Sequence, residues 1–186
     1  MNSFPEDAYA VISDLVQREK HLRPLESAIS ALGHLDNVAA APLIAAFHAH
    51  PSADIRFSVA FSLGSFPNDE LSVETLLLLM EDSDEDVRDW ATFGLGVQGD
   101  QDSPAIRDAL HRRLSDASED VREEATVGLG KRKDERILSS LFSAVDGPEI
   151  KVRVAEAASL LLGMEGDPED WGAEEYRTAL KERFSH

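Results

Sequence analysis

Apolar residues recur along this chain at spacings of three and four, the period of a helix with one buried stripe. On that pattern residues 42–49, 71–80, 105–114 and 137–145 read as helices, and no segment requires a strand. Asp69, Ser103 and Asp134 stand where N-caps belong. Pro104 follows Ser103 at the first helical position, where a missing N–H costs nothing. A first helix is expected over residues 5–18 and a last one over 169–184.

Between these helices the chain repeats itself. Asp86-Val87-Arg88-Asp89-Trp90-Ala91-Thr92-Phe93-Gly94-Leu95-Gly96 superposes on Asp120-Val121-Arg122-Glu123-Glu124-Ala125-Thr126-Val127-Gly128-Leu129-Gly130. Asp54-Ile55-Arg56 begins a third copy, closed by Leu63-Gly64, and weaker copies flank these three. Their apolar anchors fall at residues 24, 55, 87, 121 and 154, spacings of 31, 32, 34 and 33. Such a period accommodates two helices of roughly 12 residues and two short turns, so five helical hairpins and roughly eleven helices are expected.

Within each copy the anchor, anchor+4 and anchor+8 lie on one helical face and form the buried stripe. Anchor+7 is Ala31, Ser62, Gly94, Gly128 and Leu161, small in four of five copies, which lets a neighbouring helix approach closely. The Leu-Gly pair that ends each copy is expected to stop the helix, with Gly in the left-handed conformation. We call these the B helices and the segments between them the A helices. At 186 residues the expectation is a single domain over 1–186, its first and last helices acting as caps.

Charge narrows the choice of partners. Thirty-six Asp and Glu against 18 Lys and Arg leave a net charge of −18, which makes nucleic acid and anionic membrane poor partners and favours a basic one. The chain contains no cysteine, which excludes disulfides and thiolate metal sites. Residues 1–10 carry Glu6 and Asp7 where a secretory signal would be basic, and no apolar run approaches a membrane span, so a cytoplasmic location is expected.

The Asp-Val-Arg-x-x-Ala-x-x-x-Leu-Gly pattern resembles the HEAT repeat, specifically the PBS-lyase HEAT-like type, over residues 20–165. The resemblance implies an all-α fold, an α-α superhelix or HEAT-like solenoid. It also implies a polar ladder in which a turn Asp and a B-helix Arg stack from repeat to repeat. The matching residues are Asp82 with Arg88 and Asp116 with Arg122; Arg56 matches too, although His50 occupies its Asp position. The first and last copies carry Leu25 and Ala155 where the Arg belongs, as terminal repeats often depart from the pattern.

Catalytic chemistry finds little purchase. His21, His34, His48, His50, His111 and His186 lack the i, i+4 spacing of a metal site. The acids of residues 81–89 lack the calcium-loop pattern and suit the positive end of a helix dipole instead. Gly94-Leu95-Gly96 and Gly128-Leu129-Gly130 end helices, whereas a phosphate loop starts one. No catalytic residue, metal or cofactor is assigned.

In HEAT-like solenoids the B helices line the concave surface, so residues flanking the stripe are binding candidates. Phe57, Phe61, Trp90 and Phe93 form an aromatic group, with Asp89, Glu123 and Glu124 as a charged rim. Phe61 and Phe93 fit core or surface. Trp90 is expected to be exposed, because its equivalents are Ser27, Ser58, Glu124 and Ala157. The favoured function is a non-catalytic scaffold or adaptor holding a basic protein segment. The resemblance also brings in bilin lyases that attach chromophores to phycobiliproteins, and HEAT-like DNA glycosylases. For the latter, Lys131, Arg132, Lys133 and Arg136 are the only basic cluster.

Overall fold

The computed structural model describes residues 4–147 and 149–184. Among these residues there are eleven α-helices and no strand. They are α1 Phe4–Arg18, α2 Leu22–Gly33, α3 Ala41–Ala45, α4 Ala53–Leu63, α5 Glu70–Leu79, α6 Glu85–Phe93, α7 Pro104–Arg113, α8 Glu119–Lys131, α9 Leu138–Val145, α10 Val152–Leu162 and α11 Ala173–Phe184. The fold class is the all-α α-α superhelix, and no helix among the described residues is long and apolar enough to cross a membrane.

The chain forms two compact units, residues 1–101 and 102–186. In the first, α1 pairs with α2, α3 with α4 and α5 with α6, while α2 packs on α4 and α4 on α6 to make a B layer. In the second, α7 pairs with α8 and α9 with α10, α8 packs on α10, and α9 packs on α11.

The stripe residues Ile55, Val59 and Leu63 of α4, Val87 and Ala91 of α6, and Val121, Ala125 and Leu129 of α8 are fully buried. A-helix residues such as Ile44, Leu76, Ile106, Leu110 and Leu141 are equally buried. Burial of each large aliphatic side chain stabilises by about 1.5–3 kcal/mol. Helices this short do not persist alone, so that burial is what holds them. In the flanking copies Ala28, Leu32 and Ala158 are buried as the stripe requires, and its first residue is displaced by one. Pro24 is exposed in the first turn of α2 while Leu25 is buried, and Val154 is half-buried while Ala155 is buried. An apolar residue at the Arg position can turn inward, and it does.

Side chains of Asp69, Asp84 and Ser103 cap α5, α6 and α7, whereas Ser52 and Ser118 at the starts of α4 and α8 make no cap bond. The Asp69 carboxylate accepts the Ser72 N–H, the Ser103 hydroxyl accepts the Ile106 N–H, and Asp84 accepts the N–H groups of Asp86 and Val87. Asp134 caps a single 3₁₀ turn, Glu135–Ile137, that leads into α9.

The glycine expectation needs correction. Of the five Leu-Gly glycines only Gly163 is left-handed, at φ 74°. Gly33 and Gly130 lie inside their helices, Gly64 keeps φ −56°, and Gly96 sits in a widened π turn over Gly94–Gln98 that ends α6. What these positions require is absence of a side chain. A Cβ on Gly33 would lie 2.8 Å from Ser62 Cα, and one on Gly130 would lie 2.6 Å from the Ala157 carbonyl oxygen. A Cβ on Gly94 would lie 3.2 Å from Gly64 Cα. Neighbouring B helices therefore touch backbone to backbone at these points, α2 on α4, α4 on α6 and α8 on α10.

Candidate functional site

The turn-and-helix ladder has a definite geometry. Arg56 on α4 donates from Nε to Asp82 Oδ2 at 2.6 Å and from Nη2 to Asp82 Oδ1 at 2.8 Å, in a nearly enclosed bidentate pair. Its Nη1 donates to the His50 carbonyl at 2.9 Å. Arg88 and Arg122 donate in the same way to the carbonyls of Asp82 at 2.9 Å and Asp116 at 2.7 Å. The partner six residues upstream is thus a backbone oxygen, which explains how His50 can stand where the other copies have Asp. Burial pushes the Asp82 carboxyl up, but the hydrogen bonds from Arg56 and from the Asp84 N–H outweigh it and hold it below the usual carboxylate range.

The B layer of the first unit brings four rings together. Trp90 on α6 meets Phe61 at 4.9 Å, Phe93 at 5.6 Å and Phe57 at 5.8 Å between centroids, all edge-on at 73–83°. His34, just past α2, extends the row, its ring tilted 40° to that of Phe61 at 5.7 Å. Edge-to-face contacts of this kind each contribute about 0.5–1.5 kcal/mol beyond their buried area. All four aromatic carbocycles are half-buried, so Phe61 and Phe93 are neither core nor free surface.

Trp90 is accordingly not the freely exposed residue its equivalents suggested. Ser58 and Ala157 at the same repeat position are buried, and the Ala157 backbone lies against Gly130. Trp90 fits because Phe57 and Phe61 form a socket that leaves part of its ring at the surface.

The acids divide between the units. Asp89 is half-buried on α6 beside Trp90. Glu123 and Glu124 lie on α8 in the second unit, where Lys151 pairs with Glu123 at 3.0 Å and Arg153 engages both oxygens of Glu124. Their charge is largely met within the molecule. Sequence reasoning missed a different rim. Glu26, Asp54, Asp84 and Asp86, from the N-terminal ends of α2, α4 and α6, surround a depression walled by Phe57 and Ala53. The first unit holds 17 acids and 5 bases, and residues 69–101 hold ten of those acids and one base.

Two arginines of the basic cluster in the second unit are held by its own fold. Arg132 is buried and donates to the Gly128 carbonyl, while Arg136 grips Asp134 at 2.7 Å and Asp108 at 2.7 Å. Arg107 adds a bond to Asp134 and one to the Arg132 carbonyl. The Arg136 guanidinium holds the buried Asp134 carboxyl down to about 2, against the burial that would raise it. Of the histidines, His48 bonds the Ala45 carbonyl through Nδ1 and His50 accepts the Ser52 N–H, both local helix-end roles. His186 lies outside the described residues.

Trp171, before α11, has no repeat equivalent and drew no attention in the sequence. It is 39% exposed and packs on Tyr176 at 5.7 Å.

Antiparallel helix pairs whose B helices touch through glycine and small residues define an α-solenoid repeat protein. The chain belongs to the HEAT repeat family, whose model for HEAT repeats matches residues 25–96 and 73–162. It is 36% identical over 110 residues to Protein YibA of Escherichia coli K12, covering 59% of this chain and 39% of YibA. It is 34% identical over 86 residues to phycocyanobilin lyase subunit alpha of Thermosynechococcus vestitus, covering 46% of this chain and 31% of that protein. The matches thus span well under half the length of these relatives. The X-ray structure of YibA superposes with TM-score 0.74 at 25% identity, covering 95% of this chain and 69% of YibA. A designed armadillo repeat protein in complex with the peptide (KR)4 superposes with TM-score 0.58 at 15% identity, a likeness of fold, covering 92% of this chain and 87% of that one.

Proposed function

We propose that this protein is a non-catalytic adaptor of the cytoplasm that holds a basic segment of a partner protein on the B layer of its first unit. The observation that carries the reading is the contiguous cluster of Phe57, Phe61, Trp90 and Phe93, half-exposed across α4 and α6. Rigid aromatics held in a packed surface supply contact area at low entropic cost, as interface centres do. Glu26, Asp54, Asp84, Asp86 and Asp89 beside them favour a cation, and Phe57 offers a ring face for it. Glu123 and Glu124 lie in the second unit, already paired with Lys151 and Arg153, and are no part of this surface.

The test uses the two tryptophans, one in each unit. In Trp171→Phe the emission reports Trp90 alone, and a Lys/Arg-rich peptide is expected to shift it saturably where a Glu-rich peptide does not. Capture from lysate should recover with wild type a partner that Trp90→Ala loses. Equal recovery by both proteins, with no shift of Trp90 emission, overturns the reading.

The 34% identity to phycocyanobilin lyase subunit alpha supports a second reading, a subunit that assists bilin attachment. Incubation with phycocyanobilin and an apo-phycobiliprotein, with and without an added lyase subunit, would then give a new covalent absorbance band. An unchanged spectrum in every combination rejects it.

A further inference from the structure

The second unit carries a groove that the adaptor reading does not use. Ile150, Val152, Ala155, Pro168 and Ala173 line it, and Trp171 forms one wall. Val152 is 52% and Trp171 39% exposed, so two apolar side chains of one groove face solvent. Its volume of about 340 Å³ suits a short run of side chains.

The fold explains why Trp171 stands there. Tyr176 is fully buried, its hydroxyl bonded to Ser159 at 2.6 Å and to the Pro168 carbonyl at 2.8 Å. This pins the 3₁₀ turn Pro168–Asp170 to α10, and Trp171 is held against the Tyr176 ring. The indole is thus pre-oriented by a buried anchor, so little order remains to be imposed on binding.

Charge selects the occupant. Residues 165–175 contain six acids and no base, and Glu149 and Glu169 rim the groove. The nearby cations are committed elsewhere: Lys151 to Glu119 and Glu123, Arg153 to Glu124 and Glu156, Arg177 to Glu174 and Asp146. Among the described residues no cation pairs with Glu149, Glu169 or Asp170.

We propose that the Trp171 groove is a second docking site, which takes an extended partner segment bearing an aliphatic side chain next to Arg or Lys. The aliphatic group covers Val152 and the Trp171 face, and the cation sits between Glu149 and Glu169. This site stands independently of the Trp90 surface, because each is read by its own tryptophan.

In Trp90→Phe all tryptophan emission comes from Trp171. A peptide of four Leu-Arg repeats is expected to shift that emission saturably, and Glu149→Lys with Glu169→Lys should weaken binding about tenfold. Leu-Glu repeats should leave the spectrum unchanged, and Gly-Arg repeats should bind at least about fivefold more weakly than Leu-Arg. Absence of a saturable shift, or an equal response to Leu-Glu or Gly-Arg peptides, overturns the proposal. A shift that follows protein concentration without peptide assigns the groove to a second copy of the chain, and overturns it too. If Trp90→Phe does not fold, calorimetric titration of wild type against Trp171→Ala reads the same site, and equal heats from both refute it.

Discussion

Arg56 and Asp82, 26 residues apart, meet through two parallel hydrogen bonds of 2.6 and 2.8 Å that tie one helical hairpin to the turn of the next. The same arginine reaches back to the His50 carbonyl, so a single guanidinium closes its own turn and fastens the neighbouring one. Arg56→Ala leaves the Asp82 carboxylate nearly buried without this counter-ion, and we expect a loss of about 3 kcal/mol in urea unfolding. Arg56→Lys should recover only part of it, since an ammonium cannot make the paired bonds.

Arg122→Ala removes the bonds from Nη1 to the carbonyls of Asp116 and Ala117 in the second unit. Its expected loss is about 1–2 kcal/mol, read as a lower melting temperature, with partner affinity unchanged. Normal melting together with lost binding would contradict a structural role.

Glycine contacts between B helices give a graded series. Gly33→Ala and Gly130→Ala place a methyl 2.8 Å from Ser62 Cα and 2.6 Å from the Ala157 oxygen, so helices must separate, at a cost of about 1–3 kcal/mol. Gly147→Ala, whose Cβ would meet nothing nearer than 3.5 Å, should change stability by less than about 0.5 kcal/mol. Denaturant titration of the three variants checks the order.

Asp134 makes stability depend on acid. Its folded pKa of about 2 lies below the ordinary 3.8, so its contribution is fully present above pH 4 and is lost as pH falls through about 2. A depression of this size corresponds to roughly 2 kcal/mol. Asp134→Asn should therefore melt lower than wild type at pH 6, and the gap should close between about pH 4 and pH 2. A gap that stays constant with pH would show that Asp134 acts only as a helix cap.

The stripe at Ile55, Val87 and Val121 was legible in the sequence, because a 3.6-residue period with a recurring anchor leaves one helical face to bury. So were the caps at Asp69 and Ser103, which act on N–H groups three residues away. The aromatic group was legible as a set but not in its exposure. Trp90 is half-buried by Phe57 and Phe61, some 30 residues away along the chain, and local pattern carries no record of such a contact. Glu123 and Glu124 read as a free rim for the same reason: Lys151 and Arg153 reach them from the next B helix.

Periodicity and composition alone establish that the chain is a run of helical hairpins, which residues face inward, and that the surface is acidic. Tertiary structure decided what the small and charged positions do. Gly33 and Gly130 are contact points where helix backbones meet, Asp82 serves the arginine of the preceding repeat, and Trp171 lines a groove instead of closing a core. These roles depend on distances between helices, and those are set only when the hairpins pack.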